Sequence, residues 1–110
     1  MLESMDIKSL HRILIVGLTL RSGLAAAHYL LGMGKEVTAS DSKSEAELAP
    51  VMEKLDRRVK VIAGPQDPAI MDRGFDLVVL SPGVPKTIPL VREADRRSVP
   101  VIAEVELAYQ

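Results

Sequence analysis

Apolar runs the length of a β-strand alternate along the chain with segments that repeat their apolar residues at helical spacing. We expect five strands, at residues 12–16, 36–40, 59–63, 75–80 and 99–103. Short, nearly continuous apolar strands separated by helices are typical of parallel sheets that are buried on both faces. The pattern therefore predicts an α/β fold: a Rossmann-like, open, parallel five-stranded sheet with helices on both faces, in a single domain over residues 1–110.

We expect the helical segments at residues 23–33, 42–55, 67–74 and 89–97, with residues 104–110 as an exit segment. Small residues in the first helix would let it pack close to the sheet. Ser44 and Glu47 have the spacing of a capping box at the start of the second helix. Pro50 lacks an amide proton, so we expect the regular part of that helix to begin near Ala49, after a loose first turn.

The composition excludes several classes of function. Hydrophobic residues make up 47% of the chain and charged residues 26%, with a net charge of −1, so there is no excess of basic residues for binding nucleic acid or a membrane surface. Cysteine is absent, which excludes disulfides and thiolate metal sites. The first residues lack a signal pattern and no apolar run approaches the roughly 20 residues of a membrane span, so we expect a cytoplasmic protein.

A glycine turn joins the first predicted strand to the first helix. Gly17 and Gly23 bracket the turn, in the context of a phosphate-binding strand–turn–helix unit. The dinucleotide fingerprint G-x-G-x-x-G needs a middle glycine, whereas Thr19 and Leu20 stand at that place. The residues alone leave two interpretations open, a ligand-binding turn and a merely structural one. No segment reads G-x-x-x-x-G-K-[ST], so we do not expect this chain to hydrolyse a nucleotide.

Polar residues also follow the second and fourth predicted strands. Asp41 lies roughly 20 positions beyond the glycine turn, where an acid commonly accepts hydrogen bonds from a ribose or base, although it is equally placed to begin the next turn. After the fourth strand, Ser81 is followed by Pro82 and Gly83. Proline fixes φ and glycine permits close approach to the backbone, so this loop predicts a preformed binding rim. His11 and His28 have neither the carboxylate neighbours nor the spacing of a metal site, and we expect both at the surface.

Four segments together resemble the N-terminal domain of the Mur ligase family: VGLTLRSGLAA at 16–26, DSK at 41–43, DLVVLSPGVP at 76–85 and VIAEVEL at 101–107. The resemblance spans nearly the whole chain, from about residue 8 to residue 109. Its specific part is the Ser-Pro-Gly-Val-Pro segment with the closing Glu-x-Glu-Leu, whereas the glycine turn is generic.

The resemblance implies the first domain of a three-domain, ATP-dependent ligase that adds D-glutamate to UDP-N-acetylmuramoyl-L-alanine in peptidoglycan synthesis. In that family the first domain binds the UDP part of the substrate and the central domain binds ATP and Mg²⁺. We expect this domain to bind neither cofactor, and its partners to be the UDP substrate and its own central ATPase domain. The chain ends at Gln110, before any phosphate loop, so we expect the central and C-terminal domains to lie outside it and the fragment alone to be inactive.

The same resemblance assigns the candidate UDP-binding residues, which are Gly17, Thr19, Leu20, Arg21, Ser22, Gly23, Asp41, Ser42, Lys43, Ser81, Pro82 and Gly83. It places the diphosphate against the turn at 21–23, the uracil between Asp41 and Ser42 with Lys43 beside it, and the uridine along the loop at 81–83. Thr19 and Leu20 depart from the single glycine usual in the family. We expect no catalytic residue and no metal ligand in this domain.

Two other functions stay open at this point. One is an NAD(P)-binding Rossmann domain of a dehydrogenase or regulatory protein, which Asp41 would suit equally well. The other is a non-catalytic interaction domain of flavodoxin-like shape, which would have no affinity for nucleotides. The missing middle glycine and the polar rim at 81–83 favour the UDP-binding function.

Overall fold

The computed structural model of the protein describes residues 7–20 and 22–107. In this part of the chain five strands form one sheet: β1 (Arg12–Val16), β2 (Glu36–Asp41), β3 (Lys60–Ala63), β4 (Leu77–Leu80) and β5 (Val101–Ala103). All neighbouring strands are parallel and lie in the order β3-β2-β1-β4-β5. The chain builds the sheet to one side of β1 and then to the other. The gap between the loops of β1 and β4 is therefore a topological switch point, where open α/β sheets bind their ligands.

Helices connect the strands on both faces of the sheet, as the sequence predicts. They are α1 (Gly23–Gly32), α2 (Glu45–Lys54), a 3₁₀ helix (Pro68–Arg73), α3 (Pro89–Arg96) and α4 (Glu104–Leu107), with a further 3₁₀ turn (Ile7–Ser9) before β1. The fold prediction is confirmed. Among the described residues, no helix has the length and apolar character required to cross a membrane.

The aliphatic core has two layers because successive side chains of a strand point to opposite faces. Ile13 and Ile15 of β1 belong to the layer under α1 and α2, with Leu30 and Val51. Leu14 and Val16 belong to the opposite layer, under α3 and the 3₁₀ helix (Pro68–Arg73). The sheet is thus covered on both faces, and polar groups can gather only at its ends.

The start of the second helix differs from the prediction. It begins at Glu45 and continues through Pro50 to Lys54, rather than becoming regular only near Ala49. Its first turn is closed by the predicted capping box, in which the Glu47 amide donates to Ser44 Oγ and the Ser44 amide donates to Glu47 Oε1. Since this cap stabilises the first turn, the helix tolerates the loss of one amide donor at Pro50.

Strand starts differ by one or two residues from the prediction. The strands β3, β4 and β5 begin at Lys60, Leu77 and Val101. The predicted starts at Val59, Phe75 and Val99 are apolar residues that lie just before these strands. The Val99 amide, for example, donates to the Ala94 carbonyl and closes the end of α3. Residues at these positions pack in or near the core without pairing to a strand. The exit segment forms the short helix α4 over Glu104–Leu107, and residues 108–110 lie outside the described part.

Candidate functional site

Loops from four neighbouring strands meet at the carboxyl edge of the sheet and border a cavity of about 210 Å³. It is lined by Gly17, Thr19, Asp41, Ser42, Lys43, Gln66, Ser81, Pro82, Gly83 and Val84. A larger depression of about 460 Å³ lies beside α3 and the start of β5. We consider the smaller cavity the functional one, because it sits at the topological switch point and gathers hydroxyl, carboxylate, amide and ammonium groups.

Gly17 brings the loops of β1 and β4 into direct contact. Its φ is +97°, a conformation that side chains rarely adopt. A Cβ at this position would lie 2.8 Å from Val84 Cγ2 and 2.9 Å from Ser81 Cβ. The Gly17 amide donates to the Ser40 carbonyl over 2.8 Å, which ties the same residue to β2. Only glycine fits this junction, and the cavity forms next to it.

Asp41 lines the cavity and connects the β1 loop to the β2 loop. Its carboxylate is buried and accepts hydrogen bonds from the Leu18 amide at 2.8 Å and the Lys43 amide at 2.9 Å. The Lys43 ammonium lies 3.6 Å from Asp41 Oδ1, and its side chain is 53% exposed. Since both carboxylate oxygens already accept backbone amides, Asp41 holds the two loops in register, while Ser42 and Lys43 present their side chains at the exposed rim.

The loop after β4 forms a tight turn. The Val84 amide donates to the Ser81 carbonyl over 3.2 Å, with Pro82 and Gly83 at the centre and a φ of +90° at Gly83. Proline followed by a residue of positive φ is the sequence signature of a type II turn. The buried Ser81 hydroxyl donates to the Gly17 carbonyl, so the turn is fastened to the β1 loop. The segment thus forms a turn that borders the cavity and is hydrogen-bonded to the β1 loop, while its role in binding stays a prediction.

The turn between β1 and α1 closes on itself. Thr19 Oγ1 and Ser22 Oγ are 2.9 Å apart, and the Ser22 amide donates to Thr19 Oγ1 over 3.1 Å. Ser22 occupies the N-cap position without making a side-chain cap, so its hydroxyl does not compete for the first amides of the helix. Leu20 is half exposed. Thr19 and Leu20 stand where the dinucleotide fingerprint has one glycine, and the side chain of Thr19 stabilises this longer turn by local hydrogen bonds.

Gly23 lets α1 approach the β1 loop. A Cβ there would lie 2.7 Å from the Gly17 carbonyl oxygen and 2.9 Å from Leu18 Cα. The helix N-terminus consequently lies against the glycine turn, and the Leu24 amide donates to the Thr19 carbonyl over 3.1 Å. The helix dipole favours an anion at this end.

The structure brings together eight of the twelve predicted site residues on the cavity lining: Gly17, Thr19, Asp41, Ser42, Lys43, Ser81, Pro82 and Gly83. Leu20, Ser22 and Gly23 lie on the adjoining turn and helix start rather than on that lining. Arg21 lies outside the described residues. Sequence reasoning missed Gln66 and Val84. Gln66 follows the third strand, so the rule that drew attention to Asp41 could have found it.

The strongest electrostatic effects lie elsewhere on the molecule. Hydrogen bonds from Arg96 and Arg97 lower the pKa of Glu93 to about 2, and those from Arg58 lower the pKa of Asp56 to about 2. These are ion pairs at the surface, which contribute little to stability. Within residues 7–20 and 22–107, no three His, Asp or Glu side chains come together as a metal site.

Comparison with known proteins identifies relatives of the chain. Residues 11–103 match the family described as Mur ligase MurD-like, N-terminal domain. The UDP-N-acetylmuramoylalanine–D-glutamate ligase of Listeria monocytogenes is 39% identical over 99 residues, which are 90% of this chain and 22% of that protein. The enzyme of the same name from Koribacter versatilis is 43% identical over 109 residues, or 96% of this chain and 23% of that protein. The chain thus spans about a fifth of the length of these relatives.

Solved structures support the fold. The UDP-N-acetylmuramate-alanine ligase of Thermotoga maritima aligns with a TM-score of 0.68 at 20% identity, covering 88% of this chain and 21% of that one. A short-chain dehydrogenase/reductase of Veillonella parvula in complex with NADP aligns with a TM-score of 0.62 at 18% identity, covering 86% and 46%. At these identities the likeness concerns the Rossmann-like fold alone.

Proposed function

The chain belongs to the Mur ligase family, as a MurD-like N-terminal domain, and we propose on that premise that it binds the uridine diphosphate part of UDP-N-acetylmuramoyl-L-alanine. The observation that supports this proposal is the convergence of the β1, β2 and β4 loops on one polar cavity at the switch point of the sheet. These loops are more than 20 residues apart in sequence, and they are fastened to one another by buried hydrogen bonds.

Each part of the ligand has a matching part of the site. The diphosphate would lie at the N-terminus of α1, where Gly23 brings the helix against the β1 loop and the Ser22 side chain caps no amide, although the Leu24 amide already donates to the Thr19 carbonyl. The uridine would lie between the rim formed by Ser42 and Lys43 and the turn at 81–83. Asp41 would act mainly as a positioning residue, because its oxygens hold the Leu18 and Lys43 amides.

We further propose that the intact protein is a ligase that joins D-glutamate to this substrate, as the relatives' names indicate. Its dependence on ATP and its cytoplasmic location are proposed from the resemblance to the Mur ligase family. The sequence has no G-x-x-x-x-G-K-[ST] segment, and the resemblance to the Mur ligase family assigns ATP and Mg²⁺ to another domain. They would be held by a central ATPase domain. The contribution of the present chain is to hold the nucleotide end of the substrate so that its far carboxylate reaches that domain.

A ligand titration tests the proposal. The 110-residue chain, labelled with ¹⁵N, is titrated with UDP, UDP-N-acetylmuramoyl-L-alanine and NAD, and the amide resonances are followed. We expect both uridine ligands to shift the Gly17, Lys43 and Gly83 amides, whereas the amides of the opposite sheet edge, such as Asp76, stay unchanged.

NAD serves as the control for a generic Rossmann domain. Shifts of the same amides with NAD alone would favour a dinucleotide-binding function. At about 10 mM, even a ligand whose binding free energy is only a few kcal/mol occupies much of a site. If the uridine ligands cause no response up to that concentration, the proposal is overturned.

A further inference from the structure

We propose that Gln66 recognises the uracil base of the nucleotide, as a residue that determines base specificity. The inference deepens the proposed function and rests on it. Gln66 follows β3 and thus belongs to a fourth loop, beyond the three that the sequence singles out. Its side chain lines the same cavity as Ser42, Lys43 and the turn at 81–83.

The backbone of this fourth loop is tied to the β2 loop. The Gly64 amide donates to the carbonyls of Asp41 and Lys43, each over 2.9 Å, with a φ of +97° at Gly64. The loop therefore cannot move independently of the residues that border the cavity. Gln66 is placed by the same network that places Asp41.

The Gln66 side chain is also anchored. Its Nε2 lies 3.2 Å from Oγ of Ser40, a residue with no solvent exposure at the end of β2. Gln66 itself is partly buried at the cavity wall. A long amide side chain that is held at one atom loses little further rotamer freedom when a ligand binds, so its remaining hydrogen bonds are inexpensive to form.

The remaining atoms of the amide suit a uracil edge. A glutamine amide has two N–H donors and one oxygen that accepts two hydrogen bonds. In the proposed arrangement Ser40 accepts the N–H that points away from Oε1, which leaves the other N–H and the Oε1 acceptor side by side. The imide edge of uracil presents an N3–H donor next to a carbonyl acceptor, so the two edges can pair through two parallel hydrogen bonds. Cytosine lacks the N3–H and would leave a buried acceptor facing Oε1, which is costly.

Base discrimination tests this role. Dissociation constants are measured for UDP, CDP and inorganic pyrophosphate with the wild-type chain, Gln66→Leu and Gln66→Glu. We expect wild-type to prefer UDP over CDP by about tenfold or more, as expected for one or two hydrogen bonds. Gln66→Leu should lose that preference through weaker UDP binding, with pyrophosphate binding unchanged. Gln66→Glu should also lose it, because the carboxylate has no N–H donor and places a negative charge beside the base.

The outcomes separate the two proposals. If wild-type binds no UDP, the proposed function fails. If wild-type prefers UDP over CDP and Gln66→Leu retains the same preference, the proposed function stands and the role of Gln66 is overturned. A uniform loss of affinity for all three ligands, together with a lower unfolding midpoint in urea, would mark Gln66 as a structural residue and would also overturn the inference.

Discussion

Asp41 and Asp76 each accept two backbone amides, at opposite ends of the sheet. Asp41, at the carboxyl end, accepts the Leu18 and Lys43 amides at 2.8 and 2.9 Å. Asp76, at the amino end, accepts the His11 and Arg12 amides, both at 2.9 Å. Each aspartate joins a strand end to a neighbouring loop by satisfying two backbone donors. Asp41 uses both oxygens and borders the cavity, whereas Asp76 uses Oδ2 alone and does not border it.

The difference lies in what surrounds each aspartate. Around Asp41 the loops carry glycines of positive φ and a proline turn, which keep the backbone close but leave a cavity between the loops. At the amino end of the sheet, where Asp76 lies, the charged residues are the first residues of strands. Glu36 forms exposed ion pairs there with Arg12 and Lys60. An aspartate that accepts backbone amides therefore borders a cavity only where the loops that it connects leave room between them.

Glycine replacement should produce the largest difference between the two ends. Gly17→Ala at the carboxyl end combines a strained φ with a clash against Val84 and Ser81, so we expect a loss of about 2–6 kcal/mol in the free energy of unfolding. Gly34→Ala at the amino end has a φ of +80° but meets no atom within 4 Å. It should lose about 1–3 kcal/mol, from backbone strain alone. Urea denaturation of both variants measures this. Equal losses would show that the close approach at Gly17 is not needed.

Neutralising each aspartate tests the comparison itself. Asp41→Asn replaces one of two accepting oxygens by a donor that faces an amide, so we expect it to lose about 1–3 kcal/mol of stability. Asp76→Asn should lose less, because Asp76 is partly exposed and the one oxygen that remains can accept both amides. Asp41→Asn should in addition weaken UDP binding, whereas Asp76→Asn should leave it unchanged. Calorimetric titration with UDP, with both variants folded, checks this difference. Equal binding by the two variants would contradict the special position of Asp41.

The pH dependence of stability offers a smaller effect at the amino end. The Arg12 and His11 amides lower the pKa of Asp76, so the folded state holds its proton less tightly than the unfolded state, where the pKa is about 3.9. The stabilisation is therefore present above about pH 4 and is lost as the pH falls below it. We expect Asp76→Asn to flatten the fall in unfolding free energy between about pH 6 and about pH 3. Glu93 and Asp56, whose pKa values are also lowered, should leave a residual slope. An unaltered slope in Asp76→Asn would mean that its amide contacts do not persist in solution.

The smallest effect concerns exposed lysines. Lys43 at the cavity rim and Lys60 at the amino end of β3 are both largely exposed, at 53% and 66% of the side chain. Removing either should change stability little, because exposed ion pairs contribute little. We expect Lys43→Ala to weaken UDP binding severalfold at low salt and less at high salt, whereas Lys60→Ala should leave it unchanged. A salt-dependent loss in both variants would indicate general charge attraction rather than a contact at the rim.

Local features of the chain determined most of the fold. The alternation of strand-length apolar runs with helical spacing predicts a parallel sheet, because both periodicities follow directly from backbone geometry. The capping box at Ser44 and the proline–glycine turn after Ser81 were equally readable, since each depends on residues within four positions of one another. The placement of Gly17, Asp41 and Ser81 at strand ends followed from the same reasoning.

The site itself depended on contacts between distant residues. The sequence pattern places Asp41 after a strand, but it does not show that the Asp41 carboxylate will accept the Leu18 amide, and nothing near Gly17 in sequence indicates that Val84 will lie against it. Gln66 borders the cavity because the Gly64 amide joins its loop to Asp41 and Lys43, and the local sequence does not indicate this contact. Local sequence determines which segments become strands and turns through short-range sterics and hydrogen bonding. The order of the strands decides which turns meet, and that order is set by packing the whole aliphatic core between its helices.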